Sequence, residues 1–235
     1  MAGYYDAIYD LKLYEYEARC VTNLANKYLS STGRRLLDVA CGTGRHLEYL
    51  SGDFYTEGLD TSEDMLAAAR RRNPEVTFHR ADMTGFHLGR TFDVVTCLFG
   101  SLGYVKTLDN LARAVSCMAA HLTPGGMLLI EPWYTPTSWK PETVHAIFID
   151  KPHLKVARIC SCSTDARLAI LDVHCLIGTP DRIEHRSERD ELGLFEPDEI
   201  RACMRDAGLA VAFEEEGIGV SDKGVFVGCS TASVN

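Results

Sequence analysis

The chain has 235 residues, and its 33 acidic against 24 basic side chains leave a net charge of −9 at pH 7. A hydrophobic content of 46% fits one globular α/β domain with a core of its own, while the acidic balance disfavours nucleic acid, whose binders show a basic face. No apolar run reaches the roughly 20 residues that span a bilayer, the start Met1-Ala2-Gly3-Tyr4-Tyr5-Asp6 lacks a basic signal region, and nine cysteines without a C-x-x-C pair read as reduced thiols, so a cytoplasmic protein without a membrane partner is expected.

Residues 4–29 carry Tyr5, Ile8, Tyr9, Leu13, Tyr16, Val21, Leu24 and Tyr28 at helical spacing, which predicts one or two helices capping a sheet. Tyr9 and Tyr14 have two readings there: packing surface, or phenols lying over a cofactor and bonding its carboxylate. Arg35–Cys41 is a short apolar run that suits a strand buried on both faces of a parallel sheet. Gly42 and Gly44 follow, where positive φ carries no steric penalty and the backbone can approach a ligand. A helix from Gly44 to Leu50 then aims its free N–H groups at that ligand. The dinucleotide fingerprint would need a third glycine where Leu47 stands, so that match is incomplete. S-adenosylmethionine (SAM), which has no phosphate, asks less anion binding of such a turn.

The second strand, Tyr55–Asp60, ends on a carboxylate able to accept from both ribose hydroxyls. Ser62 caps the next helix, which runs to Arg72, and Arg70-Arg71-Arg72 reads as a solvated helix end. The third strand, Val76–Met83, brings Asp82 toward an adenine amino group and Met83 over its ring. The fourth, Phe92–Phe99, leads into Gly100–Tyr104. Polar groups at successive carboxyl ends of parallel strands mark the crevice where open α/β sheets bind ligands. A helix over Thr107–His121, a tight turn at Thr123–Gly126 and a fifth strand over Met127–Glu131 come next, and Pro132–Pro136 leaves the sheet over the cofactor mouth. Four β-rich runs, 144–149, 155–160, 168–175 and 182–186, predict an antiparallel sheet inserted before the last helix, Pro197–Gly208. It is expected to wall the substrate pocket and to offer a dimer contact. Strands 209–215 and 225–230 close the sheet edge. The whole reads as one domain: cap helices 1–33, a core of 34–136 with 196–235, and an inserted β subdomain 137–195.

The segments LLDVACGTGRHL (36–47), GLDTSEDMLAAARRRNP (58–74), ADMTGFHLGRTFDVVTCLFGSLGY (81–104), HLTPGGMLLIEPWYTP (121–136) and GVFVG (224–228) resemble the class I SAM-dependent methyltransferases. More narrowly, they resemble the TDP-amino-sugar N,N-dimethyltransferases of the desosamine and mycaminose type. The resemblance implies a Rossmann-like seven-stranded sheet with helices on both faces, SAM as cofactor and S-adenosylhomocysteine as product. It implies in-line methyl transfer to the amino group of a nucleotide-linked (TDP) amino-deoxysugar, with no metal ion and no nucleic acid involved. The expected cofactor site is Tyr9, Tyr14, Ala40, Gly42, Gly44, His46, Asp60, Thr61, Met65, Asp82, Met83 and Leu98. Tyr9-Asp10 matches the family's first Y-D pair, and the basic spacer before the second tyrosine, near Tyr14, is shortened. Tyr4 or Tyr5 stands near the family's active-site tyrosine, with Tyr5 taken as the candidate, and Tyr104 occupies a position that is His in the family. A phenol with a pKa near 10 is a poor base at neutral pH, so Tyr104 is expected to orient the acceptor or relay its proton. Lys223 replaces a family arginine and loses the bidentate fork. Trp133, Arg158, His185, Arg186 and Lys223 are expected to hold the sugar nucleotide, the cations facing its phosphates. A homodimer is expected. The alternative is a SAM-dependent N- or O-methyltransferase of another small molecule, such as an amino acid or a natural-product intermediate, because the inserted segment that sets the acceptor is the least distinctive part of the chain.

Overall fold

The computed structural model describes residues 2–219 and 223–231. Two short cap helices, α1 (Ala2–Ile8) and α2 (Tyr14–Tyr28), precede β1 (Arg35–Val39), α3 (Arg45–Leu50), β2 (Tyr55–Asp60), α4 (Glu63–Arg72), β3 (Thr77–Arg80) and β4 (Phe92–Cys97). A 3-10 turn (Ser101–Val105) leads to α5 (Leu108–Ala119) and β5 (Leu122–Ile130). The inserted sheet is β6 (Thr143–Lys151), β7 (Leu154–Asp165), β8 (Leu168–Thr179) and β9 (Arg182–Gly193). The chain closes with α6 (Pro197–Asp206), β10 (Leu209–Glu214) and β11 (Val225–Ser230).

The main sheet has the order β10-β11-β5-β4-β1-β2-β3, with β11 antiparallel to both neighbours. Its strands alternate apolar residues between two cores, since successive side chains point to opposite faces. Leu37, Val95 and Leu128 pack with α5 and α6, while Leu36, Val94 and Leu129 pack with α2, α3 and α4. Chain order reverses between β1 and β4, which opens a crevice at the carboxyl ends of those strands. The second sheet is a meander, β6-β7-β8-β9. One face of it, built on Val156, Cys160, Val173, Cys175 and Ile177, packs against Ile8 of α1 and the neighbouring Tyr4 and Tyr9. So α1 is clasped between the carboxyl end of the main sheet and the inserted sheet.

Four local expectations need correction. The tight turn at Thr123–Gly126 is instead an irregular stretch inside β5: Phe92 pairs with Leu122, and the next pair is Val94 with Met127. Gly125, at φ 76°, lets this stretch press against Ser30 and Ser31 of the main chain. β3 stops at Arg80, where pairing with Asp60 ends, so Ala81–Met83 lies in the loop beyond it. β9 runs to Gly193, because all twelve of its residues pair with β8 despite their charge. Arg72 is not a solvated helix end. Its guanidinium donates to Thr43 O at 2.7 Å and pairs with Asp6 at 2.7 Å and Glu48 at 3.2 Å. That ties α1 and α4 to the glycine turn.

Candidate active site

Asp60 is the fixed point of the crevice. Its Oδ2 accepts from Gly42 N at 2.9 Å and its Oδ1 from Ser62 N at 2.9 Å. A carboxylate has about four lone-pair directions, so acceptor capacity remains on both oxygens after the two turns are locked. The first turn is bent by Ala40, Gly42 and Gly44 at φ 59°, 54° and 72°. The two glycines do different work. A β-carbon at Gly42 would meet nothing within 4 Å, so its missing side chain leaves open space. At Gly44 it would lie 2.7 Å from Asn73 Nδ2, which in turn donates to Gly44 O. Gly44 is therefore demanded by the packing of α4, not by a ligand.

A cavity of about 230 Å³ opens beside Asp60, lined also by Ala40, Gly42, Leu59, Thr61, Met65, Ala81, Met83, Ser101, Tyr5 and Tyr104. The apolar Leu59, Met65, Ala81 and Met83 suit a flat aromatic base, with Asp60 at its sugar. A smaller space of about 40 Å³ shares Tyr5, Ala40, Gly42 and Ser101 with it and reaches Tyr14, Asp38, Arg45, His46 and Leu98. This end is charged. Asp38 is fully buried with Thr96 Oγ1 donating at 2.7 Å, and burial pushes its carboxyl up to about 6. The Arg45 guanidinium stacks 4.8 Å from the Tyr14 ring centroid, and its buried Nε has no partner among the described residues. A buried carboxylate and a guanidinium with an unpaired donor fit the ammonium and carboxylate of an amino-acid tail. The residues therefore fit a nucleoside carrying such a tail. Behind them His46 Nε2 lies 2.7 Å from Glu17 Oε2, and Lys12 donates to the same carboxylate. Burial pushes the Glu17 carboxyl up, but those bonds outweigh it and hold it below its ordinary value.

A second, larger cavity of about 820 Å³ lies between the segment after β5, the inserted sheet and the β10–β11 edge. Trp133, Tyr134 and Trp139 line it as mutually packed rings, with centroids 4.9 to 6.4 Å apart. Lys223 Nζ stands 3.7 Å from the Tyr134 centroid and 4.8 Å from that of Trp133, and Arg158 and Lys140 line the same space.

Most of the expected cofactor residues converge, but Gly44, Tyr9 and Asp82 do not line either cofactor space. Tyr9 follows the end of α1, and Ile8 seats that end on the inserted sheet. The Tyr9 ring therefore packs on Tyr5 at 4.7 Å and Phe99 at 5.2 Å and turns toward Arg158, Asp190 and Glu188. Asp82 is exposed, and its Oδ1 is occupied by Thr84 N at 2.8 Å and Thr84 Oγ1 at 2.7 Å. Of the expected sugar-nucleotide residues, Trp133, Arg158 and Lys223 line the large cavity. His185 points out of the opposite sheet face, 3.0 Å from His174, and Arg186 is spent on Glu184 beside Tyr4. The sequence reading passed over Asp38, taken only as a strand residue, and Arg45, whose position directly after the glycine turn was the available signal. It also passed over Glu188 and Asp190.

A family model described as a methyltransferase domain matches residues 36–126. The dTDP-3-amino-3,6-dideoxy-α-D-glucopyranose N,N-dimethyltransferase of Streptomyces fradiae is 38% identical over 232 residues, covering 97% of this chain and 90% of the relative. The crystal structure of Streptomyces venezuelae DesVI superposes with a TM-score of 0.88 at 38% identity, covering 95% of this chain and 97% of DesVI. SAM-bound CalS10, an amino pentose methyltransferase of Micromonospora echinaspora, gives 0.83 at 35% identity, with 94% and 92% covered.

Asp38 makes a pH-dependent prediction. Its folded value lies above the unfolded 3.8, so the protonated form is favoured in the fold; that contribution is full below pH 3.8 and is lost as pH rises through about 6. Asp38→Asn removes the penalty of ionisation. Without cofactor, the variant's stability relative to the wild type should improve by about 2 kcal/mol between about pH 4 and pH 8. Urea unfolding at the two pH values measures this, and a constant difference would contradict it.

Proposed function

We propose a function on one premise: the chain belongs to the class I SAM-dependent methyltransferases, in the family of dTDP-amino-sugar N,N-dimethyltransferases. Its reaction is methyl transfer from SAM to the amino group of a dTDP-linked amino-deoxysugar. One observation carries the acceptor class: the 820 Å³ cavity pairs an aromatic wall, Trp133, Tyr134 and Trp139, with the cations Arg158 and Lys223. Rings suit a thymine face, and cations suit the two phosphates. The buried Trp133 indole N–H, without a partner among the described residues, is a further donor on that wall.

SAM, when bound, supplies an electrophilic methyl group on a sulfonium. The protein's part is positional. Asp60 holds the ribose, Asp38 and Arg45 the amino-acid tail, and Met65 and Met83 the base. Tyr5 and Tyr104, at the end of the cofactor cavity, hold the acceptor nitrogen in line. Placing the lone pair against the methyl group accounts for much of the rate.

The enzyme works as a homodimer through the outer face of the inserted sheet. The register puts Phe148, Leu176 and Ile159 on that face, and they are 72%, 52% and 48% exposed. Such an apolar patch suits a second copy of the same surface. The nine free cysteines support a reducing, cytoplasmic setting, and no helix among the described residues is long and apolar enough to cross a membrane.

Three measurements test the proposal. Incubation with SAM and a panel of dTDP-amino-deoxysugars, amino acids and phenols should give S-adenosylhomocysteine and one or two methyl gains on the sugar nucleotides alone. Lys223→Ala should raise KM for the sugar nucleotide by about tenfold with kcat little changed, the loss of one charge-assisted contact. Transfer to amino acids or phenols only would overturn the acceptor. Light scattering should give twice the chain mass for the wild type and a single chain for Phe148→Glu/Leu176→Glu; a wild-type monomer would overturn the dimer.

A further inference from the structure

Between Tyr104, which lines one cavity, and Arg158, which lines the other, the inserted sheet presents a strip of acid. Glu188 and Asp190 stand two residues apart on β9, so both leave the same face of the strand. The register sets Val173 opposite Glu188 and Leu171 opposite Asp190, with Cys160 and Cys162 of β7 beyond them. That is the face packed against α1. Arg158, two residues before Cys160, shares it. The strand then runs past the 3-10 turn, where a β-carbon added at Gly103 would lie 3.0 Å from Leu192 Cδ2. Tyr104, the next residue, lines the cofactor cavity, and its phenol and the Asp190 carboxyl lie close enough to act on one another's titration. The groups facing Asp190 are therefore Tyr104 and Lys106 from the turn, Tyr9 from the end of α1, Arg158 from β7 and Glu188 on its own strand.

An isolated pair of half-buried carboxylates is unfavourable. Burial pushes the Asp190 carboxyl up, against the pull of Arg158 and Tyr104, and burial together with Asp190 pushes Glu188 up. An aliphatic amine near neutral pH arrives mostly as its ammonium, as α-amino groups near about 8 do. It has no lone pair until one proton is lost. Tyr104 alone is a poor acceptor for that proton, since burial and then Asp190 raise its phenol further.

We propose that Asp190 is the proton acceptor of this site, acting through the Tyr104 hydroxyl, and that Glu188 beside it draws the acceptor in as a cation. The proposal rests on the N-methyltransferase reading. The ammonium N–H passes its proton to Tyr104 Oη as the phenol proton passes to the Asp190 carboxylate. The phenol is thus unchanged, Asp190 becomes the neutral acid, and the nitrogen keeps the electron pair that forms the N–C bond. After transfer the methylated ammonium carries one proton more than the neutral amine product. Asp190 returns its own to solvent and the product leaves as that ammonium, so one proton is released per methyl group.

Two readouts test this, and only one depends on the acceptor. In the protein without acceptor, the Asp190 carboxyl is followed by carbon-13 NMR, assigned by its loss in Asp190→Asn. It should titrate above an ordinary aspartate and move higher still in Tyr104→Phe, which removes its donor; an unchanged titration in that variant would break the relay whatever the substrate. With dTDP-3-amino-3,6-dideoxy-α-D-glucopyranose as probe, Asp190→Asn should lower kcat by about a hundredfold at pH 7. The deficit should shrink above about pH 9, where the amine loses its proton unaided, and Asp190→Glu should restore part of the rate. Equal loss at every pH, with the SAM-induced thermal shift also gone, would assign Asp190 a structural role and overturn the inference. No transfer by the wild type would instead count against the acceptor reading, leaving the NMR result to decide the relay.

Discussion

Everything at the ligand-binding end of this molecule hangs on one carboxylate shared between two turns. Asp60 accepts from Gly42 N and Ser62 N, so the end of β2 holds both the glycine turn after β1 and the start of α4. Charge-assisted bonds to backbone N–H groups are among the stronger hydrogen bonds in a protein. Two of them fix the mouth of the cavity before any ligand arrives. The remaining lone pairs then face a space bounded by those two turns. Preorganisation of this kind lowers the ordering cost of binding.

A second set of contacts brings α1 over that space. Asp6 accepts from Thr43 Oγ1 at 2.6 Å and pairs with Arg72, which also holds Thr43 O. On its other side α1 seats Ile8 in the inserted sheet. The same short helix thereby delivers Tyr5 to the cofactor cavity and Tyr9 toward the acceptor side. The proposed reaction centre thus draws on both sheets: Asp60 and Tyr104 from the main one, Arg158, Glu188 and Asp190 from the insert.

The main sheet was legible because its signals are local and redundant. Apolar runs such as Leu36–Val39 and Phe92–Cys97 have few alternatives to buried strands, and Ser62 and Pro197 mark helix starts as expected. β9 was half missed because Glu188-Arg189-Asp190-Glu191 has poor strand propensity; twelve backbone pairs with β8 override it. Missing that half concealed Glu188 and Asp190. Tyr9 and Asp82 lie outside both cofactor spaces for a different reason. Both lie beside the site in sequence, but the end of a helix and the end of a strand decide where a side chain points. Asp38 could be read as polar and near the motif. That its carboxyl is fully buried against Thr96 depends on β4 lying alongside β1, a contact between residues 58 apart.

The Asp60 clamp, not the outer carboxylate Asp82, is the proposed anchor of the cofactor. Calorimetric titration of SAM into the wild type, Asp60→Asn and Asp82→Asn measures it directly. Loss of charged hydrogen bonds at Asp60 should weaken binding by about tenfold to a hundredfold, while Asp82→Asn should change it by less than about threefold. Equal affinity for Asp60→Asn and the wild type, or a larger loss at Asp82, would contradict the account.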